Sequence, residues 1–267
     1  MSRQPTVRME PRGDVLTLVL DRPSALNAMS RAMQEDLLDA LATAAAGRWR
    51  AVVLRGEGRA FCSGADLRSF VDDVDADDPV AVRAYMDRWA AVVRGFRDLP
   101  AATVAAVHGA AYGGGWSLAL AADLVIAARS ARFCMSYVDR GVPADLGASY
   151  WLPRLAGTMV ARRILLLGEV VDAEEARRLG LVVDVVDDDR LVDAAADLAE
   201  RLAAKPPRAL RALRRLVDGG LDATLDRALA AEGDAVAAAA DDPAFRAALA
   251  HFRGEPATGE TATQEGR

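Results

Sequence analysis

Short aliphatic runs alternate with helical spacing through the first half of the chain. Val7–Glu10 and Val15–Leu20 each read as a strand, and Asp21-Arg22-Pro23 ends the second. Behind Ser30, the apolar positions Met33, Leu37, Leu38 and Leu41 recur on one helical face, which predicts a capped helix to about Ala46. Buried strands follow at Ala51–Arg55, closed by Gly56 and Gly58, then at Val104–His108 and Leu124–Ala128. Val71–Pro79 reads as a solvated acidic loop; it lacks the glycine and terminal glutamate of a calcium loop. Asp172-Ala-Glu-Glu175 resembles a capping box for a helix stopping at Gly180, and Val182–Val186 reads as a last short strand. From about Arg190 the pattern is helical: Leu191–Ala204, Pro207–Val217, Asp222–Ala240 and Pro243–Phe252. The predicted class is α/β, with a sheet covered by helices and a helical tail. The expected division is a core over residues 1–200, a helical region over 201–253 and a disordered tail over 254–267.

Composition narrows the function. With 267 residues, 52% hydrophobic, the chain can bury a large core. Its net charge of −6 argues against binding a nucleic-acid backbone by charge. Two cysteines, Cys62 and Cys134, make no disulfide framework or cysteine-rich zinc site, and read as packed thiols. His108 lies on an apolar strand and is expected in the core; His251 is expected on a solvent-facing helix side. Two histidines are too few for a histidine metal cluster, so no metal is expected. Lys205, the single lysine, sits in a helix end beside two prolines, a poor setting for Schiff-base chemistry. The polar N-terminal stretch lacks a secretory h-region. The uncharged run Ala101–Ala122 contains His108 and three successive glycines, which suit a buried strand, turn and helix better than a membrane span. The expectation is a cytoplasmic protein without a membrane partner.

Two glycine turns could carry chemistry. In Val104–Asp123 a strand leads through Gly113-Gly114-Gly115 into an apolar helix. Glycine lets backbone N–H groups approach a ligand, and a helix start favours negative charge, so the turn could hold an oxyanion. Ser63-Gly64-Ala65-Asp66 follows the strand at Ala51–Arg55 and could offer a second bare N–H. Other readings fit less well. Ser117 lies inside the helix after the glycines, not at a nucleophile elbow, and Gly56-Glu57-Gly58 lacks the third glycine of a dinucleotide loop.

These segments, with Leu20-Asp-Arg-Pro-Ser-Ala-Leu-Asn27, Phe61-Cys-Ser-Gly-Ala-Asp66, His108-Gly-Ala-Ala-Tyr-Gly-Gly-Gly115 and Ala122-Asp123, resemble the crotonase superfamily, the enoyl-CoA hydratase/isomerase group. Phe133, Gly141, Leu152-Pro-Arg154, Gly168 and Ala176-Arg-Arg-Leu-Gly-Leu-Val182 continue the resemblance over about residues 10–253. The resemblance implies a spiral of ββα units, C-terminal helices that trimerise, and an acyl-CoA substrate with no separate cofactor. A homotrimer or dimer of trimers is therefore expected. It further implies that the Ala65 and Gly114 amides hold the thioester oxygen. Ala25, Ser63, Asp66 and Leu67 would line the CoA, and Phe252 and Arg253 match the C-terminal segment that reaches it.

The chain departs from the family's hydratase pattern. Ser117 and Tyr137 stand where hydratases carry two glutamates, and they are expected to line the substrate without serving as bases. Neither hydroxyl ionises readily near neutral pH; a phenol titrates near about 10. A carboxylate occurs instead at Asp145, in a turn resembling that of family members with aspartate there, epoxyphenylacetyl-CoA isomerase and 4-chlorobenzoyl-CoA dehalogenase. The helix over Tyr85–Phe96 lacks the dehalogenase's histidine. The expected function is enoyl-CoA double-bond isomerisation with Asp145 as acid/base. The alternatives are a hydratase or hydrolase positioning water through Asp145, and a CoA-binding homologue without activity. A simpler role for Asp145 is to cap the helix that follows.

Overall fold

The computed structural model describes residues 3–252, apart from the side chain of His251. Arg253 and the expected tail lie outside the described residues. The elements run β1 (Val7–Arg12), β2 (Val15–Leu20), α1 (Arg31–Ala46), β3 (Ala51–Gly56), α2 (Leu67–Asp73), α3 (Pro79–Arg97), β4 (Ala102–Val107), β5 (Ala110–Tyr112), α4 (Gly114–Leu120), β6 (Leu124–Ala128), β7 (Arg132–Cys134), α5 (Ala148–Ala156), α6 (Thr158–Leu167), β8 (Val170–Asp172), α7 (Ala173–Arg178), β9 (Asp184–Val186), α8 (Leu191–Ala203), α9 (Pro207–Gly220), α10 (Leu225–Ala239) and α11 (Pro243–Phe252). They form one compact unit up to Ala204 and a second from Lys205.

The first unit is built on a six-stranded sheet ordered β1-β2-β3-β4-β6-β9. Only the β1–β2 pair is antiparallel; the other four pairings are parallel. Because side chains alternate across a strand, each strand feeds two cores. Leu16, Leu18, Leu54, Ala105 and Val125 face one way, packing with Met33 and Leu37 of α1, Trp89 and Phe96 of α3, and Trp116 of α4. Val15, Val53, Val104, Ala106 and Ile126 face the other way, against Leu191, Ala195 and Ala199 of α8. A second sheet of three short strands runs β5-β7-β8. The Ser30 hydroxyl accepts from the Met33 amide, so α1 begins where the sequence placed its cap.

Several expectations need correction. The acidic stretch is not one loop. Val71–Asp73 close α2, where Asp66 caps the first turn, and α3 starts at Pro79 with Asp78 as its cap. His108 is not a core residue: it follows β4, is half-buried, and its Nε2 lies 2.8 Å from the Gly58 carbonyl oxygen. The last strand begins at Asp184, two residues later than expected. α9 continues through Gly219 and Gly220, and α10 is capped by Thr224. The run Ala101–Ala122 is indeed β4, β5 and α4, and no helix among the described residues is long and apolar enough to cross a membrane. Both cysteines are buried free thiols, and burial pushes the Cys62 thiol up to about 12.

In the second unit α9 and α10 bury no residue. Leu213, Val217, Leu225, Leu229 and Val236 stay exposed along them.

Candidate active site

The two glycine turns meet because their backbones pair. Cys62 bridges Ala111 in parallel fashion: its amide donates to the Ala110 carbonyl at 3.0 Å, and the Tyr112 amide donates to the Cys62 carbonyl at 2.9 Å. One residue pair further, Met29 bridges Ala65, its amide donating to Gly64 at 2.8 Å while the Asp66 amide donates to the Met29 carbonyl at 3.2 Å. In extended backbone the N–H groups alternate in direction. Since Gly64 and Asp66 face Met29, the Ala65 N–H faces away, and it has no partner among the described residues.

Gly113, at φ 50, turns the chain from β5 into α4, and its amide donates to the Cys134 carbonyl at 2.8 Å. Gly114 is the first helical residue, so its N–H is one of the amides a helix leaves unpaired. It too lacks a partner among the described residues. Two of the glycines are needed for close approach. A Cβ on Gly64, at φ 91, would stand 2.8 Å from the Tyr112 carbonyl oxygen, and one on Gly115 would stand 2.5 Å from that of Cys62.

A groove of about 830 Å³ opens beside the first turn, lined in part by Arg22, Ala25, Ala28, Ala65, Asp66 and Leu67. Of the predicted lining residues, Ala25, Asp66 and Leu67 are there. Ser63 is not among them; its amide donates to the Leu26 carbonyl at 3.0 Å. The Asp66 carboxylate is committed to structure: it accepts from the Ser69 amide at 3.2 Å and pairs with Arg22 at 3.0 Å. Burial works against its ionisation, but the Ser69 amide and the Arg22 guanidinium hold its pKa below the usual carboxylate range.

Asn27 is a residue beside the groove whose part in shaping it the sequence reading passed over. It is fully buried. Its Oδ1 accepts from the Arg22 amide at 2.8 Å, and its Nδ2 donates to the Glu57 and Ala60 carbonyls at 2.9 and 2.8 Å. It thereby ties the groove wall to the loop after β3. Its signal was its place at the end of the Leu20–Asn27 motif.

Ser117, Tyr137 and Asp145 form a second cluster, and none of the three lines the groove. Ser117 is wholly buried on α4, and Tyr137 is 8% exposed beyond β7. The Tyr137 hydroxyl donates to Asp145 Oδ1 at 2.6 Å, and Ser117 Oγ lies 3.1 Å from the same phenolic oxygen. Asp145 does not cap α5: Gly147 holds that position, and no side chain caps the helix. Leu146, at a left-handed φ of 48, and Gly147, at 89, turn the chain from Asp145 into α5. Such a φ is uncommon for leucine, and packing holds it there. Leu146 Cδ1 lies 2.9 Å from where a Gly114 Cβ would stand, so this turn rests on the start of α4.

Burial raises the Asp145 pKa, and the Tyr137 hydroxyl partly offsets this. Burial first, then the Asp145 charge, pushes the Tyr137 phenol up, so it stays a proton donor. Phe252 ends α11 and is exposed.

A mostly parallel sheet with helices on both faces carries two bare amides on adjoining turns and one half-buried carboxylate, groups able to donate to an anionic oxygen and to exchange a proton. The chain belongs to the enoyl-CoA hydratase/isomerase family, whose model matches residues 10–255, and it has the crotonase fold. It is 38% identical to a Rhodobacter capsulatus protein named probable enoyl-CoA hydratase, over 85% of this chain and 86% of that one. It is 37% identical to Escherichia coli 1,2-epoxyphenylacetyl-CoA isomerase, over 82% and 84%. A solved enoyl-CoA hydratase from Polaromonas sp. JS666 superposes with a TM-score of 0.86 at 32% identity, covering 93% of this chain and 96% of that one.

Proposed function

We propose that the protein is an enoyl-CoA double-bond isomerase that uses Asp145 as its acid/base. The observation that carries this reading is the makeup of the polar cluster. It holds one carboxylate, Asp145, bonded to Tyr137, while Ser117 and Tyr137 stand where the family resemblance implies the hydratase glutamates.

The thioester oxygen binds between the Ala65 and Gly114 amides. Asp145 removes a proton from C2 or C4 of the acyl chain, and the electron pair moves into a dienolate whose oxygen those amides stabilise. The same carboxylic acid returns the proton at the other end, so no atom is gained or lost. A carboxylate raised by burial suits both halves of this transfer. The groove lined by Arg22, Ala25, Asp66 and Leu67 takes the CoA portion, with no further cofactor. The resemblance to the Escherichia coli isomerase supports this reading. The exposed apolar side chains of α9 and α10 support assembly as a homotrimer or dimer of trimers, which light scattering on the purified protein would check.

The deciding experiment is a panel of CoA thioesters incubated in deuterated water and followed by mass spectrometry. An isomerase shifts a 3-enoyl-CoA double bond and washes in deuterium. A protein that binds these thioesters without exchange or turnover would be a CoA-binding homologue instead, and formation of 3-hydroxyacyl-CoA would mark a hydratase.

A further inference from the structure

Tyr137 is bound on several sides. Its ring lies against Gly113, where a Cβ would stand 3.7 Å from Cε1. Its hydroxyl donates to Asp145 Oδ1 at 2.6 Å, so its lone pairs are left to accept from Ser117 Oγ at 3.1 Å. Ser117 Oγ also lies 3.3 Å from the carbonyl oxygens of Gly113 and Asp145, longer contacts than the one to Tyr137. Ser117 can donate its one proton to either of those carbonyls or to Tyr137; because the Tyr137 proton goes to Asp145, a bond across the 3.1 Å contact runs from Ser117 to Tyr137, and each bond in that order polarises the next. Among the described residues Asp145 Oδ2 accepts no hydrogen bond.

We propose that Tyr137 is a positioning residue for Asp145: it holds Oδ1, Ser117 fixes the rotation of its hydroxyl, and Oδ2 alone is left to exchange a proton with the acyl chain. The proposal rests on the reading of Asp145 as the acid/base. It explains why two hydroxyl residues are sealed from solvent beside the one carboxylate. A loose carboxylate would sample many orientations, whereas one held at Oδ1 keeps Oδ2 in a fixed place for proton transfer. Tyr85 of α3 also feels Asp145, its phenol raised first by burial and then by Asp73, Asp66 and Asp145. Both neighbouring phenols stay neutral, and no basic side chain shifts Asp145 among the described residues.

The test is a double-mutant cycle of Tyr137→Phe and Asp145→Asn, read as deuterium exchange into trans-3-hexenoyl-CoA over a range of pH. Tyr137→Phe should lower kcat by about tenfold or more, the weight of a hydrogen bond to a charged group, with KM nearly unchanged. It should also move the acid limb of the rate profile to higher pH, because the carboxylate loses a donor. In the Asp145→Asn background the same substitution should change little. Ser117→Ala should give a smaller loss in the same direction, and it serves if Tyr137→Phe fails to fold. Equal losses in both backgrounds, or an unmoved acid limb, would overturn the positioning role. Asp145→Asn with full exchange would overturn the acid/base assignment itself, whereas an inactive Asp145→Asn beside an unaffected Tyr137→Phe would overturn positioning alone.

Discussion

The phenolic oxygen of Tyr137 stands 2.6 Å from Asp145 Oδ1, joining the segment after β7 to the turn before α5. This contact fixes what each side chain can do. The carboxylate is held half-buried by a neutral donor, and among the described residues no cation lowers its pKa.

Asp145→Asn keeps the side chain's shape and removes its proton transfer. Isomerisation and solvent deuterium exchange should fall about a hundredfold or more, the usual share of a positioned acid/base. Affinity for the CoA thioester, measured by calorimetry, should stay within a fewfold of the parent. Turnover near the parent's would show that another group carries the proton.

The raised Asp145 pKa sets a sign for stability. Between its ordinary value, 3.8, and its higher folded value, the folded state retains a proton that the unfolded chain has released. Stability from this group is therefore fully present below pH 3.8 and is lost as pH rises through the folded pKa. Asp145→Asn should gain stability relative to the parent over that window in paired urea titrations. In catalysis the acid limb of kcat/KM should lie above the ordinary carboxylate value.

Gly114 and Gly115 should respond differently to a side chain. A Cβ at 114 meets the flexible ends of Leu146 and Met29, each 2.9 Å away, whereas one at 115 meets the Cys62 backbone at 2.5 Å. Gly114→Val should fold yet misplace one oxyanion donor, raising the barrier by roughly 2.7–4 kcal/mol. Gly115→Ala should instead cost about 1–3 kcal/mol of stability as an overpacked site. Steady-state rates and melting curves on the same two proteins separate the effects.

Hydration of crotonyl-CoA should be slow or absent, because Ser117 and Tyr137 supply no carboxylate to hold the water. Formation of 3-hydroxybutyryl-CoA at about 10 per second, a median enzyme rate, would contradict the isomerase reading.

Much of the scaffold was legible where one rule acts locally. Ser30 capped α1, and the β3 and β6 runs ended within one residue of expectation. The strands β5, β7 and β8 span three residues each, too short to show an alternation. Asp66 was legible as a motif residue in a glycine turn, but α2, which it caps, was not expected, because the end of that helix lies in the acidic stretch read as loop. Asp145 stood out as the lone carboxylate in its turn. Its bond to Tyr137 and the burial of Ser117 arise from tertiary packing across 28 residues of chain, for which no sequence spacing exists.

The paired backbones of residues 62–65 with Met29 and with 110–112 have an evolutionary consequence. The groups that would acidify a substrate's C–H bond are main-chain amides, and main-chain bridges hold them in place. Mutation at surrounding side chains leaves that half of the chemistry intact. In the proposed reaction, the fate of the resulting carbanion would rest with a few exchangeable positions, 117, 137 and 145 among them. A combinatorial library confined to those three codons would sample new reactions on an already activated carbon acid.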